Sequence, residues 1–123
     1  MRFALIRKAD PDTEAGKLAS RALYDAMMAY QTKERPDVRF VDGFGLRPSS
    51  QGVRIRFSGG EPSVTDGPFA ETKELVAGVS LIEATSLEAV IAVAREWPPE
   101  DGNVELEIRP LWEMDDLLEP AVA

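Results

Sequence analysis

The stretch "ELVAGVSLIEA", residues 74–84, constrains the fold more than any other. It is apolar at both parities, and successive side chains of a strand point to opposite faces. A strand of this kind has to be covered on both sides, which places it in the middle of a sheet. Gly78 lies at its centre, where a missing side chain marks the close approach of a neighbouring group.

The remaining elements follow from hydrophobic period. "RFALIR", residues 2–7, is a second run apolar on both faces and reads as a buried strand flanked by charges. "ADPDTEAG" supplies turn formers and acids suited to a helix start. Leu18, Ala22, Ala26 and Ala29 then recur at spacings of three and four, with Leu23, Met27 and Tyr30 widening the stripe. This spacing predicts an amphipathic helix over residues 14–33, closed before Pro36. "VRFVDGFGLRPS", residues 38–49, reads as a strand that loses regularity at Gly43 and Gly45. No helix follows this Gly-x-Gly, which rejects a dinucleotide-binding turn. Val53, Ile55 and Phe57 alternate with Arg54 and Arg56 ahead of "SGGE", the clearest hairpin signal in the chain.

Thr85 and Glu88 have capping-box spacing, and Leu87, Val90, Ile91 and Ala94 share one helical face ended by Pro98 and Pro99. Val104, Leu106 and Ile108 alternate with Glu105, Glu107 and Arg109, giving a last strand with one wet face. The order β-α-β, hairpin, β-α-β predicts an α+β fold of ferredoxin-like type with an inserted β-hairpin, both helices on one sheet face. The opposite face is expected to be hidden by a second copy, making a homodimer. One domain over residues 1–112 is expected, with an acidic tail over residues 113–123.

Composition limits the chemistry. Acids exceed bases by 22 to 14, a net charge of −8, so a nucleic-acid partner is not expected. The chain has no His and no Cys, which removes the usual zinc, copper and haem ligands and the His-based nucleophile systems. No cofactor or metal is expected, and any acid–base catalyst must be Asp, Glu, Lys or Tyr. Lack of Cys fits a reducing compartment. No stretch is long and apolar enough for a membrane span, and "MRFALIRKADPD" turns charged too early for a signal peptide, so a cytoplasmic location without membrane partners is expected.

"VTDGPFAETKE" and the "GVSLIEATSLEAVIAVAREWP" that follows resemble the YCII-related superfamily, in its DGPF branch. The resemblance rests on Asp66, Gly67, Pro68, Phe69, Glu71, Thr72, Lys73, Glu74 and Gly78, and extends to "LRPS" and "VELEIRPL". It implies a dimeric α+β barrel of ferredoxin-like subunits. Some members have a His-Asp pair proposed as catalytic, which a chain without His does not carry. The branch is also associated with extracytoplasmic-function sigma factors, which implies a regulatory partner as the alternative to a small ligand.

Candidate residues follow from chemistry. Asp66 can accept backbone N–H groups in the turn, or serve as acid or base at a cleft mouth. Gly67 and Pro68 suit a corner, and Phe69 suits a core plug. Glu71, Thr72 and Lys73 are not needed to make a corner, and Lys73 is suited to a carboxylate or phosphate. Arg54 and Arg56 share a strand face and suit either solvent or an anion clamp, and Arg47 beside Pro48 is a further anion-binding candidate. The expected site is therefore Asp66 for chemistry, with Arg47, Arg54, Glu71, Thr72 and Lys73 for a small anionic ligand. Glu113, Asp115 and Asp116 read as a solvated acidic tail, and Tyr24 and Tyr30 as helix-packing residues.

Overall fold

A computed structural model describes residues 1–70 and 74–117. Strands β1 (Arg2–Lys8), β2 (Val38–Gly45), β5 (Val76–Ala84) and β6 (Leu106–Pro110) form an antiparallel sheet in the order β2-β5-β1-β6. The strand apolar at both parities is thus interior, between β2 and β1. Strands β3 (Val53–Ser58) and β4 (Glu61–Asp66) make a separate two-stranded hairpin. Its turn, Gly59 and Gly60, has φ of 60° and 85°, a pair of values that glycine adopts without strain. Helices α1 (Pro11–Glu14), α2 (Arg21–Thr32) and α3 (Leu87–Ala94) complete the ferredoxin-like α+β fold with its inserted hairpin.

Strand parity decides where the core lies. Phe3 and Leu5 of β1 share a face with Ile82 of β5, and α3 lays Val90 and Val93 against them. Tyr30 of α2 joins this cluster and donates its hydroxyl to the Val93 carbonyl at 2.6 Å, tying the two helices together. The opposite face presents Ala4, Ile6, Val79 and Leu81 at the alternate positions, only half-buried. At Gly78 a Cβ would come within 3.2 Å of the Phe44 carbonyl, the close approach its position in the strand suggested.

Three local features differ from the sequence reading. The helix expected over residues 14–33 is confined to α2, Arg21–Thr32, and the short α1, Pro11–Glu14, precedes it. Asp10 and Thr13 form a reciprocal cap that starts α1, Gly16 ends it with φ of 80°, and Ser20 caps α2 by accepting from the Leu23 N–H at 3.1 Å. Leu18, assigned to the helical stripe, falls in the connection and is exposed. The cap of α3 is Ser86, accepting from the Ala89 N–H at 3.1 Å, one residue beyond the expected Thr85.

Arg7 is the third difference. It has the same parity as Phe3 and Leu5, so its guanidinium enters the helix-covered side and is only 9% exposed. There Nε and Nη2 donate to the two Asp101 oxygens at 3.1 and 3.0 Å, and Nη1 donates to Asp10 at 3.0 Å. Trp97 adds an indole N–H to the same Asp101 at 2.9 Å. Burial opposes the charge on Arg7, but its Asp101 and Asp10 partners outweigh that and raise its pKa.

Candidate functional site

The Asp-Gly-Pro-Phe corner is built around Ser49, in the short turn that follows β2. The Ser49 N–H donates to both Glu14 oxygens at 3.1 and 3.2 Å, and its hydroxyl donates to Oε2 at 2.6 Å. The same hydroxyl accepts the Phe69 N–H at 3.0 Å. Gly67 donates to the Gly52 carbonyl at 2.9 Å, and a Cβ there would overlap the Ser49 carbonyl. Only glycine fits so close to that backbone. Glu14 at the end of α1, Ser49 after β2, and Phe69 beyond β4 are thereby fixed to one another.

Arg54 comes to the same place from β3. Its Cζ lies 3.8 Å from the centre of the Phe69 ring, a cation–π contact that leaves the in-plane N–H donors of a guanidinium available. Arg47 lines the same place, its Nη1 donating to Gln51 at 3.2 Å. With Glu14, Leu46, Ser49, Leu75 and Val76, the residues Arg47, Arg54 and Phe69 line an open cavity of ≈ 230 Å³. Two arginines and one carboxylate line it, and the Glu14 oxygens are already engaged by the N–H and O–H of Ser49. Among the described residues the lining is therefore net positive, with Phe69 contributing an aromatic ring.

The structure brings Arg47 and Arg54 together. Asp66 ends β4 opposite Val53, exposed and outside the cavity lining. Arg56 pairs with Ser63 on the hairpin and is exposed as well. Glu71, Thr72 and Lys73 lie outside the described residues. Tyr30 packs between helices, whereas Tyr24 is exposed on α2. Glu113 pairs with Arg2 at 3.2 Å. Sequence reasoning missed Glu14 and Ser49. Their contact spans 35 positions, and no local period announces it. No described helix is long and apolar enough to cross a membrane.

An antiparallel four-stranded sheet with helices on one side, an inserted hairpin and a serine-anchored Gly-Pro corner define a small α+β domain of ferredoxin-like class. The family model of the YCII-related domain matches residues 1–115, and the chain belongs to that family. It is 42% identical over 69 residues to an uncharacterized protein of Rhizobium meliloti (strain 1021). That match spans 54% of this chain and 54% of the relative.

Proposed function

We propose that this chain is a homodimeric small-molecule-binding protein whose cavity beside the Asp-Gly-Pro-Phe corner takes a small anion, a carboxylate or phosphate. The observation that carries this reading is the placement of Arg47 and Arg54, from separate segments, around one ≈ 230 Å³ cavity with Arg54 stacked on Phe69. A stacked guanidinium is pre-oriented, and its planar fork matches the oxygens of either anion. Asp66, exposed at the end of β4, is the carboxylate that would supply any acid–base chemistry. The second copy accounts for two apolar surfaces. One is the sheet face carrying Ala4, Ile6, Val79 and Leu81, and the other is the hairpin face on which Val53, Ile55 and Phe57 are 57%, 58% and 71% exposed. Sheets packed face to face sit roughly 10 Å apart with side chains interleaved. The same exposed hairpin favours the second reading, a protein-interaction module acting in sigma-factor-linked regulation.

Titration with acetate and inorganic phosphate, followed by NMR and by sedimentation equilibrium, tests both parts. Saturable binding by a dimer is expected, weakened more than about tenfold in Arg47→Ala and Arg54→Ala because each removes a charged hydrogen-bond partner. Unchanged affinity in both variants sinks the anion site. A monomer at all concentrations removes the dimer and leaves the interaction module as the better account of the hairpin. If a substrate is found, Asp66→Asn is expected to abolish its turnover while changing stability by less than about 0.5 kcal/mol, as for other exposed positions.

A further inference from the structure

A second cavity, of ≈ 530 Å³, lies between α2 and the helix-facing side of the sheet. Its floor follows from register. Leu5, Ser80 and Gly43 form one row across β1, β5 and β2, and Arg7, Gly78 and Gly45 form the next. Four of these six positions carry nothing larger than a hydroxymethyl group, so the sheet leaves a hollow under the helix. The roof is the single helical face of Tyr24, Met27, Met28 and Gln31, spaced at three, four and seven residues. Tyr24 and Met28 remain 54% and 44% exposed, because the small floor residues give them nothing to pack on. Trp97 closes one side.

Small residues alone would mark only a thin place in the core. Ser80 makes this a built site. It is 6% exposed, it lines the cavity, and its hydroxyl has no hydrogen-bond partner among the described residues. The hydroxyl oxygen is open to the cavity rather than sealed off, so it is free to bond a ligand group or a water there. Arg7 also reaches the cavity, but Asp101 and Asp10 oppose its single positive charge with two negative ones. With Asp42 at the rim as well, the lining does not favour an anion. Two thioethers and the aromatic residues Tyr24, Phe44 and Trp97 favour a flat apolar body, and methionine adapts its shape to one.

We infer that this cavity binds an uncharged, ring-containing small molecule, oriented by one polar group hydrogen-bonded to the Ser80 hydroxyl. The volume falls in the range of small-molecule sites, roughly 300–1,000 Å³. The site is separate from the arginine-lined cavity and does not depend on that reading: the two share no lining residue.

The test uses N-phenyl-1-naphthylamine, a neutral fluorescent probe with one N–H, beside its hydrocarbon analogue 1-phenylnaphthalene. Saturable binding of one probe per chain is expected. Ser80→Ala is expected to weaken the amine about fivefold, the worth of one neutral hydrogen bond, and to leave the hydrocarbon unchanged. Gly43→Leu is expected to abolish both, since a Cβ at Gly43 meets Ser80 Oγ at an ordinary 3.6 Å and the side chain then fills the hollow. If that variant does not fold, Gly45→Leu replaces it, for a Cβ there has nothing within 4 Å. Arg54→Ala is expected to bind both probes as the wild type does. Absence of saturable binding overturns the inference, as does binding that survives both glycine variants, which would place the probe elsewhere. Tighter binding of the anionic analogue 8-anilinonaphthalene-1-sulfonate than of the neutral amine overturns the ligand class.

Discussion

The Ser49 hydroxyl donates to the Glu14 carboxylate at 2.6 Å, and the oxygen that makes this bond also accepts the Phe69 N–H. One atom therefore couples the end of α1 to the corner that leads toward β5. Ser49→Ala removes both bonds and leaves a part-buried N–H unpaired. It is expected to cost about 2 kcal/mol, within the range for hydrogen bonds to charged groups and for orphaned donors. Urea denaturation measures the loss, and amide exchange at Phe69 is expected to quicken more than exchange in β1. Equal quickening at both places would show that Ser49 stabilises the domain generally and does not pin the corner.

Arg7 and Asp101 are side chains only 11% and 13% exposed, and they meet through two hydrogen bonds. Asp101→Asn removes the charged partner of both hydrogen bonds and leaves the guanidinium with Asp10 alone, so it is expected to destabilise by about 2 kcal/mol. The double variant Arg7→Met with Asp101→Leu is expected to recover much of that loss, because neither member of the pair is left charged and Asp10, 29% exposed, keeps the Thr13 N–H. A double variant no more stable than Asp101→Asn would mean that the guanidinium is needed for Asp10 as well.

Asp10 makes that second dependence visible in acid. Burial pushes its carboxyl up, but the Thr13 N–H and the Arg7 charge outweigh this and hold it below the ordinary 3.8. A carboxyl depressed on folding contributes stability above its unfolded value and loses it as pH falls through the folded one. The contribution is therefore present at neutral pH and disappears below about pH 4. Arg7→Met is expected to flatten the stability profile in that window. An unchanged acid limb in denaturation curves would remove Arg7 as the cause.

The hairpin and the four sheet strands were legible because alternation is a strong local signal and the buried faces reward it. Arg7 shows how the same rule was under-used. Parity with Phe3 and Leu5 already places it inside, yet a charge at the end of an apolar run reads naturally as a flank. Gly16 and Ser20 carried the break between α1 and α2, but the apolar stripe through Leu18 masked it. The arginine cavity was half legible. Arg47 and Arg54 follow from residue chemistry, whereas Glu14 and Ser49 are joined by tertiary contact alone. The hollow beneath α2 depends on register across three strands, which puts Gly43 beside Ser80, and no single stretch of sequence records that.

Tyr30 supplies a test at the alkaline end. It is 7% exposed, with Phe40 and Trp97 ring centres 5.4 and 5.5 Å away and its hydroxyl on the Val93 carbonyl. Burial raises the phenol from its ordinary 10.0 to about 12, with Arg35 opposing the rise and Glu96 adding to it. Folding thus favours the neutral form, and the associated stability is fully present below pH 10.0 and lost as pH rises through about 12. Wild-type stability is expected to fall by on the order of 2 kcal/mol across that window from this group. Tyr30→Phe cannot ionise. It is expected to start about 1 kcal/mol less stable near neutrality, having lost the bond to Val93, and to fall less steeply in alkali. Denaturation profiles of the two proteins measured side by side decide the matter, since lysine and surface titrations are common to both. Parallel profiles above pH 10.0 would show that the core admits the phenolate without cost.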